Sequence, residues 1–487
     1  MSGFLRWTSA IFTVLFSLPM LLFALIQSVT GLGYPARPKD AIADQFLAGS
    51  PSFIEEAGPQ GWSVGYARTV LTPQDIADHT YFIAGFLMFP AQTVTGVHDD
   101  LCVRAAVLDD GSGRGAAAFA WVDGIGLMNA DVKAIREKLS DLTQSGALSS
   151  IDVGATHVHS GVDTQGIWGF LPRSGRDAGY QSVLIEKTAD AIRSAYENMA
   201  PGELTYAAAA HPEMFTDSRA PRVLDENIHV FRFVPAQSDK RTLYLVNFGA
   251  HPTSYGAKNT RLSGDYIYAI EQALAKKANA DLLFIQGAIG GGIGCDMSAE
   301  NGMPQDDDSE KVLAYSEKMT DLILEIAQTG ERVAPILNVR HAQVDVEVNQ
   351  LVFKLVERAR LCNAAAFREN GKILLTTEIG YVEIGKQVKI LEFPGEVLPE
   401  IVYGGFLSAQ DAFRKTDYPY AALNTHFDET DDVLVFGLCN DALGYFVPDN
   451  DFSASNKDGH YEETVSTGSV TASTLSAAFE ALLSEVR

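Results

Sequence analysis

The sequence predicts an α/β fold in which helices cover the outer faces of a mixed β-sheet. Runs rich in β-branched and aromatic residues alternate along the chain with segments of helical spacing. Two pairs of these runs are joined by short turn-rich links, and such hairpins indicate a mixed rather than a purely parallel sheet. Neither an internal repeat nor a long Pro/Ser linker divides the chain. We therefore expect one domain of catalytic size over residues 41–487.

The predicted strands share an apolar composition bounded by turn residues. In chain order they are residues 101–108, 116–122, 228–234, 242–248, 282–286, 342–348, 373–382, 387–393 and 433–438. The sequence DDGSGRG joins the first two and AQSDKR lies between the third and fourth, so each pair is predicted to form a hairpin.

The predicted helices share apolar residues that recur every three or four positions. They are residues 131–143, 181–199, 266–276, 309–328, 355–369 and 473–483. Because they interleave with the strands, we expect them to pack on the faces of the sheet.

Residues 10–29, AIFTVLFSLPMLLFALIQSV, carry no charge and are long enough to cross a hydrocarbon layer of ~30 Å as a helix. Arg6 precedes this segment and Arg37 and Lys39 follow it, so basic residues give little orientation. A short apolar core with an Ala-x-Ala-like cleavage site is not evident, which favours an uncleaved anchor over a cleaved signal peptide. A buried helix of the globular part is the third alternative. We expect residues 1–40 to be this membrane segment and its linker, and the body to lie outside the cytoplasm, in the periplasm or the extracellular space.

The charge balance disfavours nucleic-acid binding, because 62 acidic residues face 37 basic ones for a net charge of -25. The longest charge runs are acidic, at residues 306–308 and 428–432. The four cysteines, Cys102, Cys295, Cys362 and Cys439, form no CxxC pair. They provide neither a cysteine zinc knuckle nor a dense disulfide scaffold, and we interpret most of them as small buried hydrophobic residues.

Polar residues follow the ends of several predicted strands, where α/β proteins place their sites. His157 and His159 are spaced i, i+2 and point the same way if the segment is extended, an arrangement common in metal sites. His251 follows the strand 242–248, Glu396 follows 387–393, and the segment 439–445 follows 433–438. Each alone is typical of a structural residue, and the histidine pair alone is compatible with a surface loop. Their shared placement predicts a site.

A glycine-rich stretch, residues 287–294, follows the strand 282–286. It lacks the Lys-Ser/Thr of a phosphate loop and leads into Cys295 and Asp296 rather than a dinucleotide-binding helix, so nucleotide binding is disfavoured. The glycines indicate either a backbone that passes close to another group or a flexible loop. The absence of G-x-S-x-G argues against a serine α/β-hydrolase.

His98, directly before the strand 101–108, is a further candidate for lining the site. The remaining histidines have no partner at ligand spacing and are interpreted as structural or exposed. They are His79, His211, His229, His341, His426 and His460.

Several stretches, in order along the chain, resemble the neutral/alkaline non-lysosomal ceramidases. ATHVHSG at 155–161 is similar to the family's A-T-H-T-H-S-G segment, and HPTS at 251–254 to its H-x-T-S motif. PGE at 394–396 is similar to its P-(G/A)-E element, and 437–445 to the strand and tyrosine near its C-terminal end. YEE at 461–463 is similar to a Y-E element. The resemblance extends from about residue 60 to the C-terminus.

The resemblance implies an amidase with one zinc ion held by two histidines, a glutamate and a tyrosine. By motif these are His157, His251, Glu396 and Tyr445, with His159 close to the substrate or to the metal-bound water. Which histidine of the 157/159 pair is the ligand stays open. Zinc would polarise the amide carbonyl and lower the pKa of a water to ~7. A nearby imidazole would then pass the proton to the leaving amine.

The resemblance also implies a substrate-binding set. By weaker analogy Arg219 or Arg222 would bind a polar head group, and His98, Gly291 and Gly292 are added as residues expected to approach the substrate.

The chain departs from the family at the glycine-rich loop, where the family carries a serine within G-D-x-S-P-N. Alignment on Gln286 places Ile293 at the serine position, and Cys295 or Ser298 could substitute only if the loop shifts. The sequence as given also has no counterpart of the family's extra C-terminal β-domain after the helix 473–483. Tight association with lipid aggregates would then depend on the N-terminal segment.

Three functions follow as hypotheses. The first is a zinc-dependent hydrolase of N-acyl linkages in lipids such as ceramide, attached to the membrane through the N-terminal helix and binding neither nucleic acid nor nucleotide. The second is a catalytically silent lipid-binding or partner-binding protein of the same fold. The third is a zinc hydrolase of another bond, such as an ester or a peptidoglycan-type amide.

Overall fold

Two β-sheets lie face to face, and helices cover the outer face of each. The computed structural model describes residues 33–37, 45–170, 173–453 and 460–486. The prediction of a mixed α/β fold with helices on the outer faces is confirmed, with the strands divided between two sheets. The predicted membrane segment 10–29 and the boundary at residue 40 lie outside the described residues. Among the helices that are described, none has the length and apolar character needed to cross a bilayer.

The strands of the described residues are numbered in chain order. They are β1 (Ser63–Val70), β2 (Gly96–Val97), β3 (Cys102–Asp109), β4 (Ala116–Val122), β5 (Leu148–Ala155), β6 (Ala200–Ala210), β7 (Phe215–Thr216), β8 (Asn227–Pro235), β9 (Thr242–Phe248), β10 (Arg261–Leu262), β11 (Ala280–Gln286), β12 (Gly294–Cys295), β13 (Glu331–Arg332), β14 (Leu337–Glu347), β15 (Phe367–Glu369), β16 (Lys372–Ile384), β17 (Val388–Glu392), β18 (Glu396–Val397), β19 (Asp432–Phe436) and β20 (Tyr445–Phe446).

The α-helices are numbered in the same way. They are α1 (Asn129–Lys138), α2 (Ser140–Gln144), α3 (Ala178–Glu197), α4 (Asp265–Ala278), α5 (Asp308–Gln328), α6 (Leu351–Arg358), α7 (Glu400–Tyr403) and α8 (Thr471–Val486). Short 3₁₀ turns cover Pro212–Met214, Leu423–His426, Asp449–Asp451 and Glu462–Val465.

The larger sheet has nine strands in the order β11-β9-β8-β6-β1-β3-β4-β5, with β13 paired to β6. Its neighbouring strands run antiparallel except at the two ends, where β11 pairs parallel with β9 and β5 pairs parallel with β4. The two predicted hairpins are confirmed, because β3 pairs antiparallel with β4 and β8 with β9. The smaller sheet has the order β14-β16-β17-β19, with β15 on β16 and with β17 parallel to β19.

The strands at the centre of the fold are buried on both faces. In β3, Val103, Ala105 and Val107 pack with the helices, while Ala106 and Leu108 pack into the core between the sheets. Strands that are buried on both faces appear in the sequence as continuous apolar runs, which is why these strands could be predicted. The sequence did not predict the strands β1, β5 and β6. In β6, for example, the sequence begins with Pro and Gly after Ala200, and the residues alternate irregularly between buried and exposed.

Two helix predictions need correction. The predicted helix 355–369 is wrong, because α6 ends at Arg358 and residues 367–369 form strand β15 against β16. Arg360 adopts a φ of 54°, which a continuing right-handed helix does not allow. The predicted helix 131–143 is divided into α1 and α2 at Leu139, whose φ and ψ of -109° and 15° are not helical.

A buried polar group ties the two sheets together close to the end of β5. His341 on β14 places Nε2 2.9 Å from Asp152 Oδ1 on β5 and 3.0 Å from Glu392 Oε2 on β17. Burial opposes a charge on the imidazole, but Asp152 outweighs it and raises the pKa of His341 well above its usual value. A protonated His341 therefore joins carboxylates of both sheets and fixes β5 relative to β17.

Candidate metal centre

The predicted site residues follow strands that take part in parallel pairing, and the two sheets bring them together. His157 follows β5, and His251 follows β9. Glu396 and Tyr445 are paired directly as neighbours in the short parallel strands β18 and β20, which follow β17 and β19. His157 has a φ of 68°, a left-handed conformation that non-glycine residues rarely adopt and that concentrates at functional sites.

Two imidazoles converge on one carboxylate oxygen. Oε2 of Glu396 lies 3.3 Å from Nε2 of His157 and 3.1 Å from Nε2 of His251. The phenol oxygen of Tyr445 lies 3.3 Å from the same Nε2 of His251. All four residues are buried. Four potential ligand atoms from four separate segments thus meet at one point.

Backbone carbonyls fix the tautomer of both histidines. The Nδ1 of His157 donates to the carbonyl of Ile125 at 2.7 Å, and the Nδ1 of His251 donates to the carbonyl of Ile293 at 2.6 Å. A carbonyl only accepts, so Nδ1 carries a hydrogen in each ring. Nε2 is then the atom that donates to Glu396 when the ring is protonated and that offers a lone pair to a metal ion when the ring is neutral. This is the arrangement in which histidines bind metal ions in proteins.

The charge at this point also suits a cation. Burial opposes ionisation of Glu396, but the charge of His157 and hydrogen bonds from both histidines outweigh it and hold the carboxyl pKa well below its usual range. Burial likewise opposes a charge on His157, yet Glu396 raises its pKa. Burial and the charge of Glu396 raise the pKa of Tyr445. The ionised carboxylate thus attracts positive charge, and two imidazoles, a carboxylate and a phenol are a donor set that fits zinc and several other divalent metals.

His159 lies beside this cluster but is held differently. Its ring centroid is 4.9 Å from that of His157, and its two buried ring nitrogens have no hydrogen-bond partner among the described residues. One nitrogen from each of His157, His159 and His251 lies within 4.8 Å of the others. Burial, followed by the neighbouring histidines, lowers the pKa of His159 well below its usual value. His159 is therefore neutral.

A cavity of about 840 Å³ opens over the cluster, a size typical of sites for small organic ligands. Its lining is mostly apolar. The apolar residues include Phe86, Leu87, Ile125, Met128, Ile167, Trp168, Val352, Phe353, Val356, Leu438 and Leu443. His157, His159, His251, Glu396, Tyr445 and Tyr461 are among its polar residues. Polar groups at one place in an apolar cavity suit a ligand with one polar linkage and long apolar arms.

The glycine-rich loop runs close to the backbone of Leu398 and to the side chain of Ser218. A Cβ at Gly290 would lie 2.5 Å from the backbone nitrogen of Leu398, and one at Gly292 would lie 2.4 Å from Oγ of Ser218. Of the two interpretations of this loop, close backbone approach therefore describes it. Ile293, at the position of the family's serine, supplies the carbonyl that holds His251. Cys295 lines the cavity, whereas the hydroxyl of Ser298 accepts from the backbone of Asn301.

The predicted substrate-binding residues are placed less uniformly. Gly292 lines the cavity, whereas Gly291, His98, Arg219 and Arg222 are not among the described residues that do so. Arg219 is buried and makes ion pairs with Asp451, Glu462 and Glu463. His98 stacks on Tyr255 with ring centroids 4.7 Å apart, and Arg222 is exposed. None of these four residues, Gly291, His98, Arg219 and Arg222, is among the described residues that line the cavity. Their role in substrate binding stays a prediction.

Two participants were not identified as site residues from the sequence. Tyr461 lines the cavity and places its hydroxyl 3.3 Å from that of Tyr445, and only its family motif could have pointed to it. Ile125 contributes through its carbonyl, which carries no sequence signal because every residue has one.

The fold has counterparts among solved structures. One is the crystal structure of a neutral ceramidase from Pseudomonas aeruginosa, at a TM-score of 0.66 and 16% identity over 87% of this chain and 74% of that one. Another is a ceramidase complexed with C2, at a TM-score of 0.65 and 16% identity over 87% of this chain and 75% of that one. No protein-family model and no curated protein sequence matches the chain. At this identity the likeness establishes a ceramidase-like fold.

Proposed function

We propose that this protein is a zinc-dependent hydrolase of N-acyl linkages in lipids, with ceramide as the natural substrate class. The convergence of His157 and His251 on the Glu396 carboxylate carries this proposal, because it builds a cation site inside an apolar cavity. The likeness in fold to two ceramidases supports the same class of reaction.

His157, His251, Glu396 and Tyr445 would hold the metal. When bound, zinc supplies a Lewis acid that polarises the amide carbonyl and makes a water more acidic. The carbonyls of Ile125 and Ile293 keep Nε2 of each histidine aimed at the cluster. Tyr445 adds its phenol oxygen from the strand directly beside that of Glu396.

His159 has the properties needed for proton transfer. Its imidazole is neutral, its ring nitrogens have no hydrogen-bond partner in the part of the chain that the structure describes, and it lies beside the cluster. It can accept a proton from the attacking water and return it to the nitrogen of the leaving amine, which must be protonated before it departs. The apolar lining holds the acyl chain and excludes bulk water from the amide.

The test is fatty-acid release from an N-acylsphingosine by the purified, detergent-solubilised full chain, with and without a chelator. Glu396→Gln removes the charge that the two histidines share. Glu400→Gln is the matched control, since Glu400 is also buried but lies outside the metal cluster and the cavity lining. Chelator-sensitive release by the wild type and by Glu400→Gln, but not by Glu396→Gln, is the expected result. Release that resists the chelator and survives Glu396→Gln would refute the proposal.

A catalytically silent lipid-binding protein is the second candidate. Ile293 at the position of the family's serine favours it, because an aliphatic side chain offers no hydroxyl. Metal-loaded protein that binds a lipid amide saturably and releases no fatty acid would support this candidate over the hydrolase. A panel of esters and other amides separates both from a zinc hydrolase of another bond.

A further inference from the structure

Large apolar side chains are exposed at two residues that line the cavity, Leu87 and Val352, and at four positions that lie within two residues of the lining along the chain. Phe89 is fully exposed at 102%, and Leu87 is exposed at 66%. We name this surface the rim and define it by six exposed residues. They are Leu87, Met88, Phe89, Phe170, Leu351 and Val352. Single exposed apolar residues are ordinary, but a group of this size at one opening marks a surface that contacts another apolar body.

The rim is continuous with the apolar lining of the cavity. Leu87 and Val352 belong to both. Helix α6, which contributes Leu351 and Val352, has no buried residue although five of its eight residues, LVFKLVER, are apolar. Phe170 packs edge-on against Phe82 at 5.2 Å between ring centroids and remains about half exposed. An apolar surface therefore leads from the outside of the protein directly into the cavity.

Two of the three rim segments lack charge in a chain whose net charge is -25, and the third, α6, carries Lys354, Glu357 and Arg358. Residues 81–97 and residues 164–170 contain no Asp, Glu, Lys or Arg. Charged side chains are costly at the boundary between lipid headgroups and acyl chains, whereas aromatic and aliphatic side chains are favourable there. The acidic body would be repelled by an anionic membrane, so the composition fits the surface of a zwitterionic bilayer.

The N-terminal part of the chain reaches the body at the same helix. The carbonyl of Gly33 accepts a hydrogen bond from Arg358 at the end of α6, and the Arg358 guanidinium lies 4.7 Å from the ring centroid of Tyr34. The segment predicted to cross the membrane, residues 10–29, precedes Gly33 by four positions. A membrane anchor would thus join the body at the C-terminal end of α6, the helix whose first two residues, Leu351 and Val352, belong to the rim.

We propose that the rim docks on the surface of a lipid bilayer, so that the mouth of the cavity opens toward the membrane. Phe89 and Met88 enter the boundary between headgroups and acyl chains, and a lipid passes into the cavity without crossing water. This inference rests on the proposed function only for the identity of the lipid that enters, because docking itself requires no hydrolysis.

The test measures the depth of the rim in the membrane. The full chain is reconstituted into phosphatidylcholine vesicles after labelling of Phe89→Cys with an environment-sensitive fluorophore, and nitroxide-bearing lipids serve as quenchers. Phe413→Cys is the matched control, an aromatic position that is 45% exposed and does not line the cavity. Wild-type protein treated with the same fluorophore measures the background labelling of the native cysteines. Two of these cysteines are buried and two are half-buried.

We expect the label at position 89 to shift to the blue and to lose most of its fluorescence to the lipid nitroxide, while the label at 413 changes in neither respect. A label at 89 that reports water while the chain floats with the vesicles would overturn the docking surface. Equal quenching at both positions, or a chain that does not bind the vesicles at all, would overturn it as well.

A second variant separates this inference from the proposed function. Met88→Ser with Phe89→Ser removes apolar side chains that do not line the cavity. We expect it to lose turnover of a lipid amide presented in vesicles and to retain turnover of a short-chain, water-soluble N-acyl amide. Equal turnover of the vesicle substrate by variant and wild type contradicts docking. Absence of turnover of both substrates by the wild type contradicts the hydrolase but leaves the fluorescence result to decide the docking surface.

Discussion

Nε2 of His251 lies 3.1 Å from Oε2 of Glu396, although 145 positions of sequence separate the two residues. His251 follows a strand of the larger sheet, and Glu396 follows a strand of the smaller one. The contact exists because the two sheets pack face to face through a shared apolar core. The candidate metal centre is therefore built across the sheets rather than within either of them.

The two histidines of the H-x-H pair should respond differently to substitution. His157→Gln should lose the bound metal, because Nε2 of His157 faces Glu396. His159→Gln should retain the metal and lose turnover by about 10²- to 10⁴-fold, the usual contribution of a general acid or base. Metal content of the purified variants and their rates of amide hydrolysis test this. Metal loss confined to His159→Gln would reverse the assignment.

Tyr445→Phe should weaken metal binding while preserving the packing of the ring. The phenol oxygen lies 3.3 Å from Nε2 of His251, so its loss removes one potential ligand. Tyr461→Phe removes the hydroxyl that contacts Tyr445 and should cost about tenfold in metal affinity, as loss of an outer partner usually does. Competition with a chromophoric chelator measures both affinities. An equal or larger loss in Tyr461→Phe would exclude Tyr445 as a ligand.

Arg219→Met should destabilise the fold by about 3–5 kcal/mol, because it leaves buried carboxylates without their partner. Arg219 pairs with Asp451, Glu462 and Glu463 and is only 5% exposed. Arg222→Ala, at an exposed position, should change the free energy of unfolding by less than about 0.5 kcal/mol. Urea unfolding measures both. Unchanged stability of Arg219→Met together with a raised KM would instead support a role in substrate binding.

The free energy of unfolding should fall as the pH rises from about 4.5 to about 8. Burial raises the pKa of Glu400 from 4.5 to about 8, so the native state keeps a proton that the unfolded state has already lost in this range. A native state that binds more protons loses stability as the pH increases. Glu400→Gln removes this titration and should flatten the dependence of Tm on pH. An unchanged slope in the variant would show that Glu400 ionises normally.

Gly292→Ala should destabilise the protein more than Gly302→Ala, although both glycines have positive φ, 75° and 81°. The left-handed conformation costs an alanine about 1–2 kcal/mol at either position. At Gly292 the added Cβ would also lie 2.4 Å from Oγ of Ser218, whereas no atom of the described residues lies within 4 Å of a Cβ at Gly302. Thermal unfolding of the two variants isolates the contact with Ser218. Equal destabilisation by the two substitutions would show that the glycine-rich loop moves to accommodate the added Cβ at position 292.

Apolar strands were predictable where local sequence and burial agree. The segments 116–122 and 242–248 match β4 and β9 residue for residue, because both strands are buried almost throughout and bounded by polar turns. The same reasoning from local sequence wrongly predicted a continuous helix over residues 355–369. There, apolar residues at helical spacing continue past Arg358, but pairing with β16 draws residues 367–369 into a strand.

The sequence by itself determined that His251 and Glu396 follow strands and therefore stand where an α/β protein can build a site, and it singled out His157 only as a member of an H-x-H pair. It could not determine that His157 rather than His159 faces Glu396, because an H-x-H pair does not show which of its two histidines is the ligand. That choice depends on the carbonyl of Ile125, which accepts a hydrogen bond from His157. It also could not reveal that carboxylates surround Arg219 or that α6 meets Tyr34 beside an exposed apolar rim. Periodicity and motifs record the local environment of each residue, whereas these contacts join distant segments. Only the packing of two sheets and their loops brings such segments together.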